Sequence, residues 1–418
     1  MSQKPSNLHI DGQRFWDSLM EMVKIGATPK GGCNRQTLTD LDKEGRLLFQ
    51  RWVEAIGCTV EVDEMGNMFA RRPGKRDDLP PVVIGSHLDT QPTGGKFDGV
   101  AGVLCGLEVL RTLHDAGYET DHPVMVVNWT NEEGSRFSPA MLSSGVWAGV
   151  LDRDWAYGLK DRDGKVFGEE LARIGFKGDK PCRPADWKCH FELHIEQGPI
   201  LEAEDKQIGV VTGVQGIRWL DVTITGKESH AGSTPMPRRQ DALVAASKVV
   251  IALDEIARKY PPAAVATVGE IKIAKPSRNV IPGEVWFSVD LRHPETATVD
   301  AMERDLHAAV EAACARDGLP FQVERLWDSP PVQFHPDCIA AVENAAQEAG
   351  YRHRRIVSGP GHDSAYTARK VPTSMIFIPC KDGLSHNEEE SAKPEDLAAG
   401  CEVMLRAVLT MAQAEPAQ

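Results

Sequence analysis

Hydrophobic and polar positions along the first third of the chain predict alternating helices and buried strands. Segments with apolar residues at helical spacing alternate with short apolar runs that fit strands buried on both faces. The predicted elements are a helix at 41–56, a hairpin at 59–62 and 68–70, a strand at 81–84, a helix at 100–113 and a strand at 124–129. An alternation of this kind is typical of a mostly parallel sheet flanked by helices.

The middle of the chain follows the order strand–helix–strand–strand–helix–strand, which is that of the ferredoxin-like α+β fold. These elements are predicted at 217–225, 241–258, 264–273, 285–292, 299–315 and 321–326. A helix at 337–349, a strand at 373–378 and a helix at 397–411 return to the first pattern. The expected fold class is therefore α/β, with a mixed, mostly parallel sheet in residues 1–212 and 329–418. Residues 213–328 would form an inserted ferredoxin-like α+β domain.

Composition and charge exclude several classes of protein. The 418 residues suit two or three domains of roughly 150 residues each, and a net charge of −14 argues against nucleic acid as a partner. No apolar run approaches the roughly 20 residues needed to cross a bilayer, and the start MSQKPSNLHIDG does not resemble a signal segment. The nine scattered cysteines argue against disulfides and thiolate zinc sites. We expect a cytoplasmic protein that binds neither nucleic acid nor membrane.

Five short motifs carry side chains suited to binding metal ions, and four of them lie at predicted strand ends, where open α/β sheets bind their ligands. The motifs and their candidate residues are GSHLDT (His87, Asp89), GGKFDG (Asp98), NEEG (Glu132, Glu133), ELHIEQGP (Glu192, His194 and Glu196, on one face of a short strand) and GLSHNEEE (His386). Taken singly, each also fits a structural role. His87 would be a buried loop histidine, Asp98 a helix N-cap, and the acidic runs solvated turns.

Taken together, the motifs offer three histidines and two carboxylates from five loops. A pair of divalent ions about 3.5–4 Å apart needs imidazole and carboxylate ligands, with one carboxylate bridging both ions. A further carboxylate must stay uncoordinated to take a proton from water. The adjacent Glu132 and Glu133 can supply one ligand and one base.

The motifs GSHLDTQPTGGKFDG, NEEGSRF, ELHIEQGP, SHAGSTPM, RNVIPG, FSVDLR, GPGHDS and GLSHNEEE run in order from residue 85 to residue 390. They resemble those of the N-carbamoyl-amino-acid amidohydrolases, a dinuclear zinc family that includes β-ureidopropionases and is related to allantoate amidohydrolases. The resemblance implies a metal-dependent enzyme that cleaves the carbamoyl C–N bond of N-carbamoyl L-α-amino acids or N-carbamoyl-β-alanine. The products would be the amino acid, ammonia and CO2. Allantoate hydrolysis, and an aminoacylase or dipeptidase on the same scaffold, remain alternatives.

The resemblance also implies a role for each site residue. One divalent ion would be held by His87, Asp98 and His194, and the second by Asp98 as the bridge with Glu133 and His386. Zinc is the first expectation, although manganese, cobalt and nickel accept the same ligands. Glu132 would be the general base and then the acid. Substrate would contact the remaining candidates, Gln197, Asn279, Arg292 and His362. The position of Asp89 two residues after His87, independently of the resemblance, predicts that Asp89 accepts the other ring N–H of His87.

The resemblance further implies a homodimer, in which His230 of the insert stabilises the oxyanion in the partner subunit's site. Without the resemblance, each of these residues also fits a structural role. His230 would be a loop residue, Arg292 would form a surface ion pair, and His362 would belong to a structural turn. With metal ligands on one domain and substrate contacts on the insert, we expect the insert to close as a lid over the substrate. An edge strand of the insert could pair with its copy. A non-enzymatic scaffold would be expected to lack the base or a ligand, and this sequence retains all of them.

Overall fold

The computed structural model describes residues 7–413, and the chain divides within it into two units. The first runs to Gly213 and resumes at Gln333, and the second is Val214–Val332. Each unit has its own hydrophobic core. The helices of the first unit are α1 Gly12–Lys24, α2 Asp40–Glu54, α3 Val100–Asp115, α4 Leu142–Trp147, α5 Arg153–Tyr157, α6 Phe167–Arg173, α7 Ile200–Ala203, α10 Pro336–Glu348, α11 Asp363–Thr367 and α12 Pro394–Met411. Its strands are β1 Thr59–Val62, β2 Met68–Arg72, β3 Val82–His87, β4 Val124–Trp129, β5 Cys189–Ile195, β15 His353–Ser358 and β16 Thr373–Ile378, together with β6 Ile208–Val214 and β14 Val332–Gln333, which each extend one residue into the second unit.

The first unit is built on a nine-stranded sheet in the order β1-β2-β4-β3-β5-β16-β6-β14, with β15 also paired to β6. The four central strands β4, β3, β5 and β16 are parallel, whereas β2 and β6 join them antiparallel. Every residue of those four strands is buried, because helices such as α3 and α12 pack against the sheet. The predicted mixed, mostly parallel sheet flanked by helices is confirmed.

The second unit contains the predicted strand–helix–strand–strand–helix–strand series, with its second strand divided in two and with two extra two-residue strands that pair with each other. Its elements are β7 Gly216–Thr225, β8 Ser229–His230, α8 Ala242–Lys259, β9 Val265–Thr267, β10 Ile271–Ile273, β11 Val280–Ile281, β12 Glu284–His293, α9 Thr296–Ala315 and β13 Phe321–Ser329. The sheet order is β10-β12-β7-β13, with β9 also beside β12, and all of these pairs are antiparallel. Alternate residues of β12, such as Phe287 and Leu291, are buried in the core that α8 and α9 share.

The elements predicted from the sequence pattern differ from the observed ones at several places. The single strand predicted at 264–273 is two short strands, β9 and β10, which both pair with β12 on either side of Gly269-Glu270. Glycine weakens a strand because it has no side chain to pack. Helix α1 and strands β6 and β15 were not predicted. The nine cysteines are buried and free, and no helix of residues 7–413 is long and apolar enough to cross a membrane.

Candidate metal centre

The carboxyl ends of the four central parallel strands carry the candidate metal ligands. His87 is the last residue of β3, and His194 lies next to the end of β5. Glu132 and Glu133 follow β4, and His386 follows β16. Because parallel strands end at the same edge of a sheet, these side chains converge there.

Asp98 joins two groups of ligand atoms, each within 4.8 Å of one another. Its Oδ1 lies 3.0 Å from His194 Nε2 and 3.6 Å from His87 Nε2. Its Oδ2 lies 3.2 Å from His386 Nε2, which is itself 3.4 Å from Glu133 Oε2. One carboxylate therefore presents one oxygen to each group, as a carboxylate that bridges two metal ions must do.

The two buried imidazoles direct a lone pair toward Asp98. His87 Nδ1 lies 2.9 Å from the main-chain carbonyl of Asp89, and His194 Nδ1 lies 2.9 Å from the carbonyl of Ile195. A carbonyl only accepts, so each Nδ1 donates and each Nε2 carries the lone pair. The Gly99 N–H, which donates to His194 Nε2 at 3.2 Å, agrees with this tautomer.

These donor atoms fit a divalent cation. His87 Nε2 is buried and makes no hydrogen bond within the described residues, although Glu132 Oε2 lies only 3.4 Å away. A buried lone pair that faces carboxylates is unfavourable unless a cation lies between them. Imidazole and carboxylate are ligands that zinc and related ions accept.

The carboxyl groups of the site differ in their tendency to ionise. Burial opposes ionisation of Asp98, but the imidazoles of His194, His386 and His87 around it, when protonated in the metal-free protein, hold its pKa well below the usual range. Burial raises the pKa of Glu132 well above the usual range. Burial and the nearby Asp98 raise the pKa of Glu133 to about 8. A bound dication would reverse the last two shifts, because it favours the ionised carboxylates.

Asp89 has a different role from the predicted one. We expected its carboxylate to accept the Nδ1–H of His87, but that oxygen lies 3.7 Å away and the main-chain carbonyl of Asp89 is the acceptor. The carboxylate instead accepts the main-chain N–H groups of Glu132 at 3.3 Å and Glu133 at 3.2 Å. Asp89 thus holds the backbone that carries the predicted base and one predicted ligand.

Two predicted substrate contacts also lie beside these ligands. Gln197 Nε2 donates to Asp98 Oδ2 at 2.9 Å. The buried ring of His362 packs edge-on against His194, with centroids 4.5 Å apart, and its Nε2 lies 3.1 Å from Ser358 Oγ. Burial lowers the pKa of His362 well below its usual range, so this imidazole is neutral.

Three of the eight non-glycine residues with positive φ among residues 7–413 lie at or beside the candidate ligands. Asn131, Gln197 and His386 adopt left-handed conformations, with φ of 61°, 55° and 54°. Such residues cost of order 1–3 kcal/mol each unless their surroundings fix them, and they cluster at functional sites.

The remaining predicted residues belong to the second unit. His230 on β8 is exposed, and its Nδ1 accepts the N–H groups of Gly232 and Ser233. Asn279 is adjacent, because its carbonyl accepts the N–H of Ala231 at 2.8 Å. Arg292 on β12 forms an ion pair with Asp290, with Nη2 2.7 Å from Oδ2.

Sequence reasoning missed several residues that hold the ligands in place. Gln91 donates its main-chain N–H to Glu133 Oε1 at 3.1 Å and its side-chain Nε2 to Oε2 at 2.7 Å. Ser385 and Glu390 contact the Asp98 loop. The signal for Gln91 was its place inside the longest motif. Glu390 was hidden in an acidic run of the kind that is usually solvated.

A cluster of histidines and carboxylates at the carboxyl edge of an α/β sheet is the arrangement that many metal-dependent hydrolases use. The model of peptidase family M20/M25/M40 matches residues 83–410, and the chain belongs to this family. The N-carbamoyl-L-amino-acid amidohydrolase of Rhizobium meliloti is 51% identical over 413 residues, which cover 99% of each chain.

Two other comparisons agree with this assignment. The crystal structure of an amidase of the hydantoinase/carbamoylase family from Burkholderia multivorans has a TM-score of 0.95 at 56% identity, and the match covers 98% of this chain and 100% of that one. The allantoate amidohydrolase of Escherichia coli is 32% identical over 397 residues, which cover 94% of this chain and 96% of that one. The family resemblance inferred from the motifs is confirmed.

Proposed function

We propose that this enzyme hydrolyses N-carbamoyl L-α-amino acids to the amino acid, ammonia and CO2. The observation that carries the proposal is the pair of ligand groups joined by Asp98, in a chain 51% identical over its full length to an N-carbamoyl-L-amino-acid amidohydrolase. A carbamoyl carbon is a poor electrophile because two nitrogens donate electrons into it. The reaction therefore requires both an activated water molecule and a stabilised oxyanion.

Within the first unit, His87, Asp98 and His194 would hold one divalent ion, and Asp98, Glu133 and His386 the other. When bound, two such ions lower the pKa of water and polarise a carbonyl group. Glu132, whose Oε2 lies 3.4 Å from His87 Nε2, accepts a proton from water and returns it to the leaving nitrogen. We propose zinc as the native metal, and metal analysis of the purified protein tests this.

Residues of the second unit would bind the substrate carboxylate and oxyanion. Arg292 can form two parallel hydrogen bonds with a carboxylate, with Asn279 as the second contact and Gln197 of the first unit orienting the carbamoyl group. His230 would stabilise the oxyanion. Because its Nδ1 already accepts two main-chain N–H groups, its Nε2 would carry the donated proton.

We further propose that the enzyme is a homodimer formed through the second unit. Val244 and Ile251 lie seven residues apart on one face of α8 and are 41% and 64% exposed. Val265 on β9 and Ile271 on β10 are also exposed, on strands at the edge of the sheet. Unpaired edge strands with exposed apolar side chains favour pairing with a second copy. His230 would then act in the partner subunit's site.

The test of function is ammonia release by protein loaded with Zn²⁺ or Mn²⁺. The substrates are N-carbamoyl-L-methionine, its D-enantiomer, N-carbamoyl-β-alanine and allantoate, with an N-acetyl amino acid and a dipeptide scored by amine release. Preference for the L-carbamoyl compound supports the proposal. Preference for allantoate would favour the second candidate, which the E. coli relative supports. Activity only on the last two compounds would indicate an aminoacylase or dipeptidase.

Arg292→Ala tests the assignment of the carboxylate contact. Loss of a charge-assisted hydrogen bond costs about 1.5–3 kcal/mol, so we expect KM for N-carbamoyl-L-methionine to rise roughly 10- to 100-fold. Hydrolysis of a carbamoyl compound without a carboxylate should change little. An equal loss on both substrates would contradict the assignment.

The cytoplasmic location stays a prediction from the sequence, which cell fractionation tests.

A further inference from the structure

Glu390 ends the acidic run Glu388-Glu389-Glu390, yet its side chain points inward. It is 3% exposed, whereas Glu389 is exposed. Its Oε1 accepts the main-chain N–H groups of Phe97 at 2.8 Å and Asp98 at 3.2 Å. A buried carboxylate requires donors, and here the donors belong to the loop that carries the bridging carboxylate.

The other oxygen of Glu390 is connected to the Asp98 side chain through Ser385. Ser385 Oγ lies 2.8 Å from Glu390 Oε2 and 3.2 Å from Asp98 Oδ2. A hydroxyl has one proton, and the shorter contact assigns it to Glu390. Gln197 Nε2 then donates one proton to Ser385 Oγ at 3.1 Å and the other to Asp98 Oδ2 at 2.9 Å. Glu390 thereby fixes the hydroxyl orientation on which this arrangement depends.

Glu390 also belongs to the loop that carries His386, the candidate ligand that faces Asp98 Oδ2 in the second ligand group. Its N–H donates to the carbonyl of Asn387 at 3.0 Å, which closes a turn directly after His386. On the other side, a Cβ atom at Gly95 would lie 2.1 Å from the Glu390 carboxyl group. The two loops therefore meet at this carboxylate with no room for a side chain between them.

We propose that Glu390 is a positioning residue for the second metal ion. Its carboxylate ties the Asp98 loop to the His386 loop and so sets the separation of those two ligands, without itself binding the ion. The inference rests on the dinuclear centre proposed above. It assigns a function to a residue that belongs to neither ligand group.

The experiment is calorimetric titration of the metal-free, full-length protein with Mn²⁺, together with kinetics at increasing Mn²⁺. Loss of a group that orients a metal ligand typically weakens binding 10- to 100-fold. In Glu390→Ala we expect one ion to bind as in the wild type and the other to bind roughly 10- to 100-fold more weakly. Excess Mn²⁺ should restore kcat while KM stays unchanged, a rescue that a general structural defect would not show.

Two further variants make the test decisive. Glu389→Ala removes the exposed neighbouring carboxylate and should bind both ions as the wild type does. Glu390→Gln keeps the size and the Oε1 acceptor but donates to Ser385 instead of accepting from it, so we expect about tenfold weaker binding of the second ion. The proposal is overturned if Glu390→Ala binds two ions with wild-type affinity. If the alanine variant does not fold, the same result in Glu390→Gln overturns it. Wild-type protein that binds fewer than two ions overturns the dinuclear centre, and this inference with it.

Discussion

Glu132 and Glu133 are neighbours in sequence, but their surroundings assign them different tasks. Gln91 holds both oxygens of Glu133, which also faces His386 at 3.4 Å. Glu132 faces His87 and belongs to neither ligand group. A fixed carboxylate suits a metal ligand, and one outside the ligand groups suits proton transfer.

Glu132→Gln should therefore bind both metal ions and lose turnover. An amide has the same size but cannot accept and return a proton, so we expect kcat to fall about 10²- to 10⁴-fold. Metal content and steady-state kinetics on the same preparation measure this. Glu133→Gln is the matched comparison and should lose one metal ion. Retention of most of the turnover in Glu132→Gln would remove it from the role of base.

Gln91 offers a finer test at the same scale. Gln91→Leu removes the side-chain donor to Glu133 while the main-chain donor remains, so we expect roughly tenfold weaker binding of one metal ion. Gln91→Glu removes the same donor but adds a negative charge that attracts the cation, so we expect it to bind the ion more tightly than Gln91→Leu does. Mn²⁺ titration of the two variants measures the order. Wild-type affinity in Gln91→Leu would show that the side-chain amide does not orient Glu133.

At the scale of elements, the turn that begins α3 is shaped around His87. Gly99 has φ of 67°, and a Cβ atom there would lie 2.3 Å from the imidazole ring. Gly164 has a similar φ of 77°, but nothing lies within 4 Å of its Cβ position. Both glycines have a positive φ, but only Gly99 has a candidate metal ligand beside its Cβ position.

Comparing Gly99→Ala with Gly164→Ala separates the cost of a side chain at positive φ from the cost of displacing His87. Gly164→Ala should cost only the strain of a left-handed residue, about 1–2 kcal/mol, and should keep both metal ions. Gly99→Ala must also displace His87, so we expect lower stability and loss of a metal ion. Thermal unfolding and metal analysis of both variants test this. Full metal content in Gly99→Ala would show that His87 can shift without leaving the centre.

The elements also show what the sequence can predict. Strands buried on both faces are read directly from apolar runs, and the ligand loops follow because parallel strands end at one edge. Glu390 was not predictable, because only the packed structure shows that it faces inward. The prediction that the Asp89 carboxylate accepts from His87 was wrong for a similar reason. A sequence does not show whether the side-chain or the main-chain oxygen of a residue is the acceptor. The break at Gly269 depends on pairing with β12, which is a long-range contact.

At the scale of the whole molecule, the proposal that His230 acts in the partner subunit's site makes the dimer part of the catalyst. Two variants, His230→Ala and Glu132→Gln, should each be almost inactive alone, because one lacks the oxyanion donor and the other lacks the base. In a mixed dimer, the site on the His230→Ala chain has its own Glu132 and receives an intact His230 from the other chain. The second site of that dimer lacks both groups.

Co-expression of the two variants should therefore restore about a quarter of wild-type activity, since half of the dimers are mixed and each has one complete site. The measurement is ammonia release after purification through two different tags, which isolates mixed dimers and should raise the recovery to about half. A control mixture of Glu132→Gln with Glu133→Gln should recover nothing, because each change disables the site of its own chain and the partner supplies neither residue. If His230 acts within its own chain, no mixture regains activity, and a monomeric mass with full wild-type activity would exclude the shared site altogether.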